Sequence, residues 1–299
     1  MSALKATQKT VLLVGDVMRD VIVRPEGALR TGSDRKAKIE MVPGGSAANQ
    51  AVWLGASNVG ARLVARVGAL DIEALSASFF KLGVEPVFTG DPELATGTLV
   101  SMIDVGGERS FYTDRGANEA LCIDDVSAHV LEGVSKVVLS GYSFFVARPR
   151  EVAREVMVRA KKKGIPVLID PASAGFIKDV GVQRFIEWTR GASVLFPNAQ
   201  EAQLLSGEMT PEDQLRALSP YYGHVVIKLG ARGAVTLDEG GKLLQVAGKE
   251  VVALDTTGAG DAFAGGFVAG QLAGLSLREC IELGNEQGAR AVTKVGGQP

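Results

Sequence analysis

Cysteine and histidine are scarce in this 299-residue chain, with two of each. Cys122 and Cys280 stand far apart and form no ligand pair, so no disulfide framework is expected, which suits a cytoplasmic protein. His129 and His224 are too few for a histidine-rich metal centre. No Gly-x-Ser-x-Gly elbow occurs, which argues against a Ser-His-Asp hydrolase, and no G-x-x-x-x-G-K-[ST] loop occurs, which argues against a P-loop enzyme. The segment Met1 to Thr10 is short and polar, and the apolar run after it, Val11 to Val14, has only strand length. Nothing approaches the ~20 apolar residues of a membrane span, and no signal peptide is expected. Neither charge sign is in excess: the net charge of −2 makes no electrostatic case for nucleic acid or an anionic membrane. What remains, 46% hydrophobic and 22% charged, is ordinary globular material of a length that suits one large α/β domain.

Glycine, in contrast, is plentiful, and two glycine-rich stretches organise the chain. Asp255 to Phe267 reads Asp-Thr-Thr-Gly-Ala-Gly-Asp-Ala-Phe-Ala-Gly-Gly-Phe. Before it, Glu250 to Leu254 has the composition of a strand; after it, Phe263 with Phe267 and Gly266 with Gly270 recur at helical spacing. The stretch therefore reads strand, tight turn, helix N-terminus. Amides of Gly258, Ala259 and Gly260 would face an anion there, and the helix dipole should keep the Asp261 carboxylate ionised near neutral pH. A loop that holds an anion beside a carboxylate base is what phosphoryl transfer to a hydroxyl requires. A turn with an Asp-capped, glycine-packed buried helix explains the same residues. A dinucleotide fingerprint fits less well, because Phe263 occupies the third glycine position.

The rest of the chain alternates strand and helix patterns, which implies a parallel sheet covered on both faces. Strands are expected at Thr10 to Gly15, Arg62 to Val67, Val84 to Phe88, Lys136 to Leu139, Pro166 to Ile169, Val194 to Phe196, His224 to Leu229 and Ala234 to Leu237. Helices are expected from Ser46, from a cap at Asp71 to Leu82, over Pro149 to Lys163, and over Ser276 to Val292. Asp16 falls at the carboxyl end of the first strand, where open α/β sheets bind ligands, although a turn aspartate would read the same way. Asp20 to Val23 and Ala37 to Val42 show partial period-two alternation outside this rhythm, and Thr98 to Ile103 with Phe111 to Thr113 look like a hairpin turning at Asp104 to Gly107. These could form a small separate sheet or an edge of the main one. Gly44-Gly45 would let backbone approach a ligand closely, and Asn49 in the next helix could meet vicinal hydroxyls or simply be solvated. Asn198 and Glu201 have capping-box spacing.

Two stretches resemble the signatures of the ribokinase-like (PfkB) sugar and nucleoside kinases. Pro43-Gly44-Gly45-Ser46-Ala47-Ala48-Asn49-Gln50-Ala51 is similar to the first, and Asp255-Thr-Thr-Gly-Ala-Gly-Asp261-Ala-Phe to the second; the likeness covers essentially the whole chain. The resemblance implies one domain over residues 1–299: a three-layer α/β/α sandwich with a mainly parallel central sheet and a small β-sheet lid, its strands inserted from about 17–43 and 97–114. It implies ATP-dependent phosphorylation of a primary hydroxyl, with Asp261 as catalytic base and Gly258, Ala259 and Gly260 as the anion hole. Asp16, Gly44, Gly45 and Asn49 would bind the acceptor. Asn198 and Glu201 would organise Mg²⁺ through water, a role compatible with a capping box. Gly230, Gly233 and Asn285 would lie near ATP, and Lys228 could reach a phosphate or be an ordinary stem-buried lysine. Asp255 and Thr257 would hold a K⁺ ion.

The acceptor is less defined. Ribokinases commonly have lysine where this chain has Ser46, and a glutamate where it has Ser140-Gly141-Tyr142. Tyr142 could stack on a ring or pack in the core. Arg115 could meet an acidic or phosphorylated acceptor or be a surface cation. Nucleosides and keto-deoxy sugar acids therefore stand beside neutral sugars as acceptors, with a non-catalytic sugar-binding regulator as the reading from another class. A lid sheet could also pair two copies as a homodimer.

Overall fold

The structure is a computed structural model that describes residues 9–28, 31–103 and 109–299. The turn expected at Asp104 to Gly107 lies outside the described residues, as do residues 1–8. In chain order the elements are β1 (Thr10–Val14), β2 (Met18–Pro25), β3 (Ala37–Gly44), α1 (Ser46–Ala56), β4 (Gly60–Gly68), α2 (Ile72–Lys81), β5 (Val84–Asp91), β6 (Thr96–Ile103), β7 (Arg109–Gly116) and β8 (Val134–Ser140). There follow α3 (Tyr142–Phe145), α4 (Ala147–Lys162), β9 (Val167–Asp170), α5 (Ala174–Val180), α6 (Val182–Thr189), β10 (Val194–Leu195), α7 (Ala199–Ser206) and α8 (Pro211–Leu218). The last are β11 (His224–Val225), β12 (Ile227–Lys228), β13 (Ala234–Leu237), β14 (Leu243–Val246), α9 (Ala259–Ala273) and α10 (Leu277–Ala291).

Seven strands form the central sheet in the order β11-β10-β9-β8-β1-β4-β5, and the pairs are parallel. The period of two along β1 sorts its side chains between two cores. Leu12 and Val14 pack with Val152 and Val156 of α4, Ile177, Phe185, Leu205 and Leu215 on one face. Val11 and Leu13 pack with α1, Phe79 of α2, Phe263 and Phe267 of α9 and Ile281 of α10 on the other. Both faces are covered, which is why the central strands read as continuous apolar runs. Glycines let α9 lie close against its neighbours: a Cβ on Gly265 would meet Trp53 at 2.9 Å, and one on Gly266 would meet the Leu283 carbonyl at 2.6 Å.

A separate four-stranded sheet, ordered β3-β2-β6-β7, is built by the strands expected near 17–43 and 97–114. Two devices tie it to the central sheet. Asn118 clamps the crossover from β1, accepting from Val17 N–H at 3.0 Å and donating to the Val17 carbonyl at 3.0 Å. Asp71 pairs with Arg19 of β2 and accepts from the Thr96 hydroxyl at 2.5 Å, and Thr96 in turn accepts from Gly68 N–H at 3.0 Å.

Three local expectations are corrected. Glu250 to Leu254 is not a strand: the amides of Leu254 and Asp255 donate to the Val292 carbonyl instead, and Val252 and Leu254 stand 84% and 64% exposed. Its apolar composition imitates a strand, but it runs along the end of α10 rather than beside a sheet. The single strand expected over His224 to Leu229 divides between sheets: β11 joins the central one, while β12 joins the antiparallel sheet β12-β13-β14. Asp71 precedes α2 but makes no side-chain cap, because its carboxylate serves Arg19 and Thr96. Cys122 and Cys280 are both free.

Candidate active site

At the carboxyl ends of the central strands lies a cavity of about 740 Å³, walled on one side by β2, β6 and β7 and on the other by the start of α9. Its floor is made where α1 meets α9. Gly45, with φ 96°, turns the chain into α1, and a Cβ there would meet the Asp16 carbonyl at 2.6 Å. Asp16 accepts from the amides of Ser46 and Ala47, each at 3.2 Å, so it caps a helix thirty residues ahead. Gly44 does not line the cavity; it makes room for Asp20, whose carboxylate would lie 2.2 Å from a Cβ added there.

The α9 side begins at Gly258, in the left-handed region at φ 73° and packed on Gly297. Gly258, Ala259 and Gly260 line the cavity, and Asp261 sits in the first helical turn. Three donors on one stretch of α1 hold its carboxylate. Ser46 Oγ donates to Oδ1 at 2.7 Å, Gln50 Nε2 to Oδ1 at 3.1 Å, and Asn49 Nδ2 to Oδ2 at 3.0 Å. Burial, and next the charge of Asp170, push the carboxyl up to about 7 against the pull of the Ser46 and Asn49 hydrogen bonds. The helix dipole is expected to favour the ionised form of Asp261 near neutral pH; desolvation and a neighbouring acid work against it. A base poised near neutrality is the better proton acceptor.

The polar wall opposite is made by β9, β12 and α7. Lys228 Nζ lies 2.5 Å from Asp170 Oδ2 and beneath Gly260, where an added Cβ would approach the ammonium at 2.9 Å. Burial pulls that ammonium down, but Asp170 and Glu201 outweigh it and the net shift is upward. Asn198 and Glu201 form the reciprocal capping box of α7: Asn198 Oδ1 accepts from Glu201 N–H at 2.9 Å, and Glu201 Oε2 accepts from Asn198 N–H at 2.8 Å. Burial, then Asp170, raise the Glu201 carboxyl. Gly230 and Gly233, at φ 61° and 88°, shape the turn between β12 and β13 and line the cavity. Asn285 lines it too, donating to the carbonyls of Val246 and Ala247 at 3.3 and 3.1 Å.

A family model described as pfkB family carbohydrate kinase matches residues 8–299. The chain belongs to that family. Ribokinase of Haemophilus influenzae is 28% identical over an alignment that covers 97% of this chain and 94% of that protein. The crystal structure of ribokinase from Thermotoga maritima superposes with a TM-score of 0.81 at 26% identity, over 97% of this chain and 95% of its own. The structure of Arabidopsis thaliana ribokinase complexed with ribose and ATP, at 24% identity and a TM-score of 0.78 over 96% and 94% of the two chains, shares the fold. The present chain is accordingly a kinase.

In this carbohydrate kinase the remaining expected site residues fall as follows. Arg115 and Tyr142 line the cavity; the guanidinium is 5.1 Å from the phenol ring and 3.8 Å from Asp16 Oδ2. Tyr142 also meets Phe176 edge-on at 6.0 Å, so it is both packed and exposed to the cavity. Thr257 lines the cavity but Asp255 lies behind it, 2% exposed, accepting from Thr257 N–H at 2.8 Å and Gly296 N–H at 3.1 Å. Gly297, next along, accepts from the Trp53 indole at 2.8 Å through its carbonyl and packs on Asn49.

Three functional candidates escaped the sequence reading. Asp20 is 5% exposed, lines the cavity, and its Oδ1 is buried without a hydrogen bond; burial, then Asp16 and Asp255, raise it to about 7. Its inward place in the alternation of β2 was the available signal. Asp170 ends β9, and the strand-end rule that picked Asp16 applies to it equally. Gln50 stands inside the first signature stretch, but its role was not legible there, since it depends on an aspartate 211 residues away.

Proposed function

We propose that this kinase transfers the γ-phosphoryl group of ATP to the primary hydroxyl of a small sugar. The observation that carries the reading is the meeting, in one cavity, of Asp261 at a helix N-terminus with a carboxylate-rich acceptor wall on one side and a lysine-bearing phosphate wall on the other. The acceptor is held by Asp20, Asp16 and Asn49, Gly45 allowing its close approach, with Gly44 making room for Asp20. The acceptor O–H bond breaks as its proton passes to Asp261, the oxygen bonds to the γ-phosphorus, and the bond to the ADP oxygen breaks. Amides of Gly258 to Gly260 and the Lys228 ammonium stabilise charge on the transferring group. Asn198, Gly230, Gly233 and Asn285 border the nucleotide.

The oxygen donors at Asn198 and Glu201 fit a Mg²⁺ ion that keeps most of its waters, since Glu201 retains an oxygen outside its cap. They would hold that ion through water, and it would neutralise the leaving phosphates. Asp255 and Thr257 would be the holders of a K⁺ ion; here the two Asp255 oxygens accept from the amides of Thr257 and Gly296. The sheet of β2, β3, β6 and β7 acts as the lid. Its exposed Ile39, Met41, Phe111 and Tyr112 suit pairing of two copies. The free cysteines agree with a cytoplasmic site of action, and among the described residues no helix is long and apolar enough to cross a membrane.

Arg115, Tyr142 and Phe176 also border a second cavity of about 200 Å³, which keeps a nucleoside or a sugar acid open as the acceptor. An ATP-consumption screen across pentoses, hexoses, keto-deoxy acids and nucleosides ranks them; tight sugar binding with no turnover of any of them would point to a regulator. The decisive test of the chemistry is Asp261→Asn. It should lose ~10²–10⁴-fold in turnover while still binding ATP, and near-wild-type turnover would remove Asp261 from the mechanism.

A further inference from the structure

We propose that Gln50 is a positioning residue for the transfer: with Ser46 it fixes one oxygen of Asp261 and leaves the other for the acceptor proton. This rests on Asp261 being the base. Gln50 is 1% exposed and does not line the cavity, so it cannot touch substrate. Its Nε2 donates to Asp261 Oδ1 at 3.1 Å and to Ser46 Oγ at 3.3 Å, and Ser46 Oγ donates to the same Oδ1 at 2.7 Å. The three atoms close a triangle: Ser46 Oγ and Asp261 Oδ1 are too close together for the two amide hydrogens to point one at each, so Nε2 shares one hydrogen between them. Turning the amide over would set Oε1 against a carboxylate, so the orientation is fixed by charge. Oδ2 instead meets Asn49, a cavity-lining residue that an acceptor can displace or share.

The arrangement is costly if it serves only packing. Gln50 Oε1 is buried with no hydrogen bond, and an apolar side chain of the same length would avoid that loss. The amide is retained where it aims a carboxylate reaching across from another helix. The charged and titratable groups facing Asp261 are Asp16 from the β1 end, Asp170 from β9, Lys228 from β12 and Tyr142 from α3. Gln50 and Ser46 oppose the two acids by favouring the ionised form.

The test is single-turnover phosphoryl transfer with the full chain, ATP, Mg²⁺ and the best acceptor from the screen. Gln50→Met keeps the length and removes the donor. The rate should fall about tenfold, the loss of one hydrogen bond to a charged group, with the KM for ATP within about twofold of wild type. The acid limb of the rate–pH profile should move up by about one unit, and Ser46→Ala should move it the same way. A wild-type rate, or a slower rate with the limb unmoved, overturns the proposal, because a loosened core alone does not shift the limb. If the Met variant does not fold, Gln50→Glu sets a second carboxyl beside the base and must move the limb upward; an unmoved limb there overturns it equally. Asp261→Asn run alongside separates the two readings. If it stays active the base assignment fails, whereas an inactive Asp261→Asn with an unmoved Gln50→Met limb sinks only the role of Gln50.

Discussion

Asp20 is the residue whose environment asks most for a ligand. Its carboxyl is buried against Gly44, one oxygen lacks a hydrogen bond, and its ordinary value is raised to about 7 by burial first and by Asp16 and Asp255 next. Sugar hydroxyls would supply the missing donors and favour the ionised form. Asp20→Ala should therefore raise the acceptor KM at least about tenfold, as for a lost charged hydrogen bond, while the KM for ATP stays put; steady-state kinetics with each substrate varied in turn reads the split. At this scale the sequence was informative wherever function follows from local spacing. Asp261 beside its glycines and Asn49 after Gly44-Gly45 are visible as motifs. The roles of Asp20 and of Gln50, the latter inside the first signature stretch, are not, because they come from neighbours supplied by other elements: Gly44 across a strand pair for one, Asp261 across two helices for the other.

At the scale of elements, the turn at Gly45 places α1, and α1 places the base. Its φ of 96° excludes other residues, and a Cβ would press on the Asp16 carbonyl at 2.6 Å, an atom of backbone that cannot swing aside. Gly45→Ala should cost about 3 kcal/mol of unfolding free energy, seen as a lower urea midpoint, and should depress turnover as Ser46, Asn49 and Gln50 shift from Asp261. The alternating strands and helices were legible because both faces of the sheet are covered, which gives long apolar strands between capped helices. Glu250 to Leu254 was misread for the same reason: an apolar run carries no mark that says whether a sheet edge is available to it. The split of His224 to Leu229 into β11 and β12 is set by which sheet each half reaches, and that is a tertiary fact.

Across the whole molecule, gathering acids in one cavity should leave a signature in stability. Burial pushes the carboxyls of Asp20 and Asp261 up to about 7 in the folded chain from an ordinary 3.8. Between those values the folded state holds protons that the unfolded state has released, so their contribution is complete below about pH 4 and fades as pH rises to about 7. Each group can remove up to about 4 kcal/mol over that window. Thermal melts should show the wild type losing stability from pH 5 to pH 8, and Asp20→Asn losing less; equal losses would mean that Asp20 ionises freely.

The segment at Gly296 and Gly297 has a wider meaning than its size suggests. It is bonded to the Asp255 loop on one side and to Trp53 of α1 on the other, it packs on Asn49, and Gly258 rests on it. It behaves as a keystone, letting the two glycine motifs, some two hundred residues apart in the chain, bear on each other. Any change that displaces it reaches the phosphate-facing and the sugar-facing halves at once, so neither half can drift in evolution without the other feeling the strain.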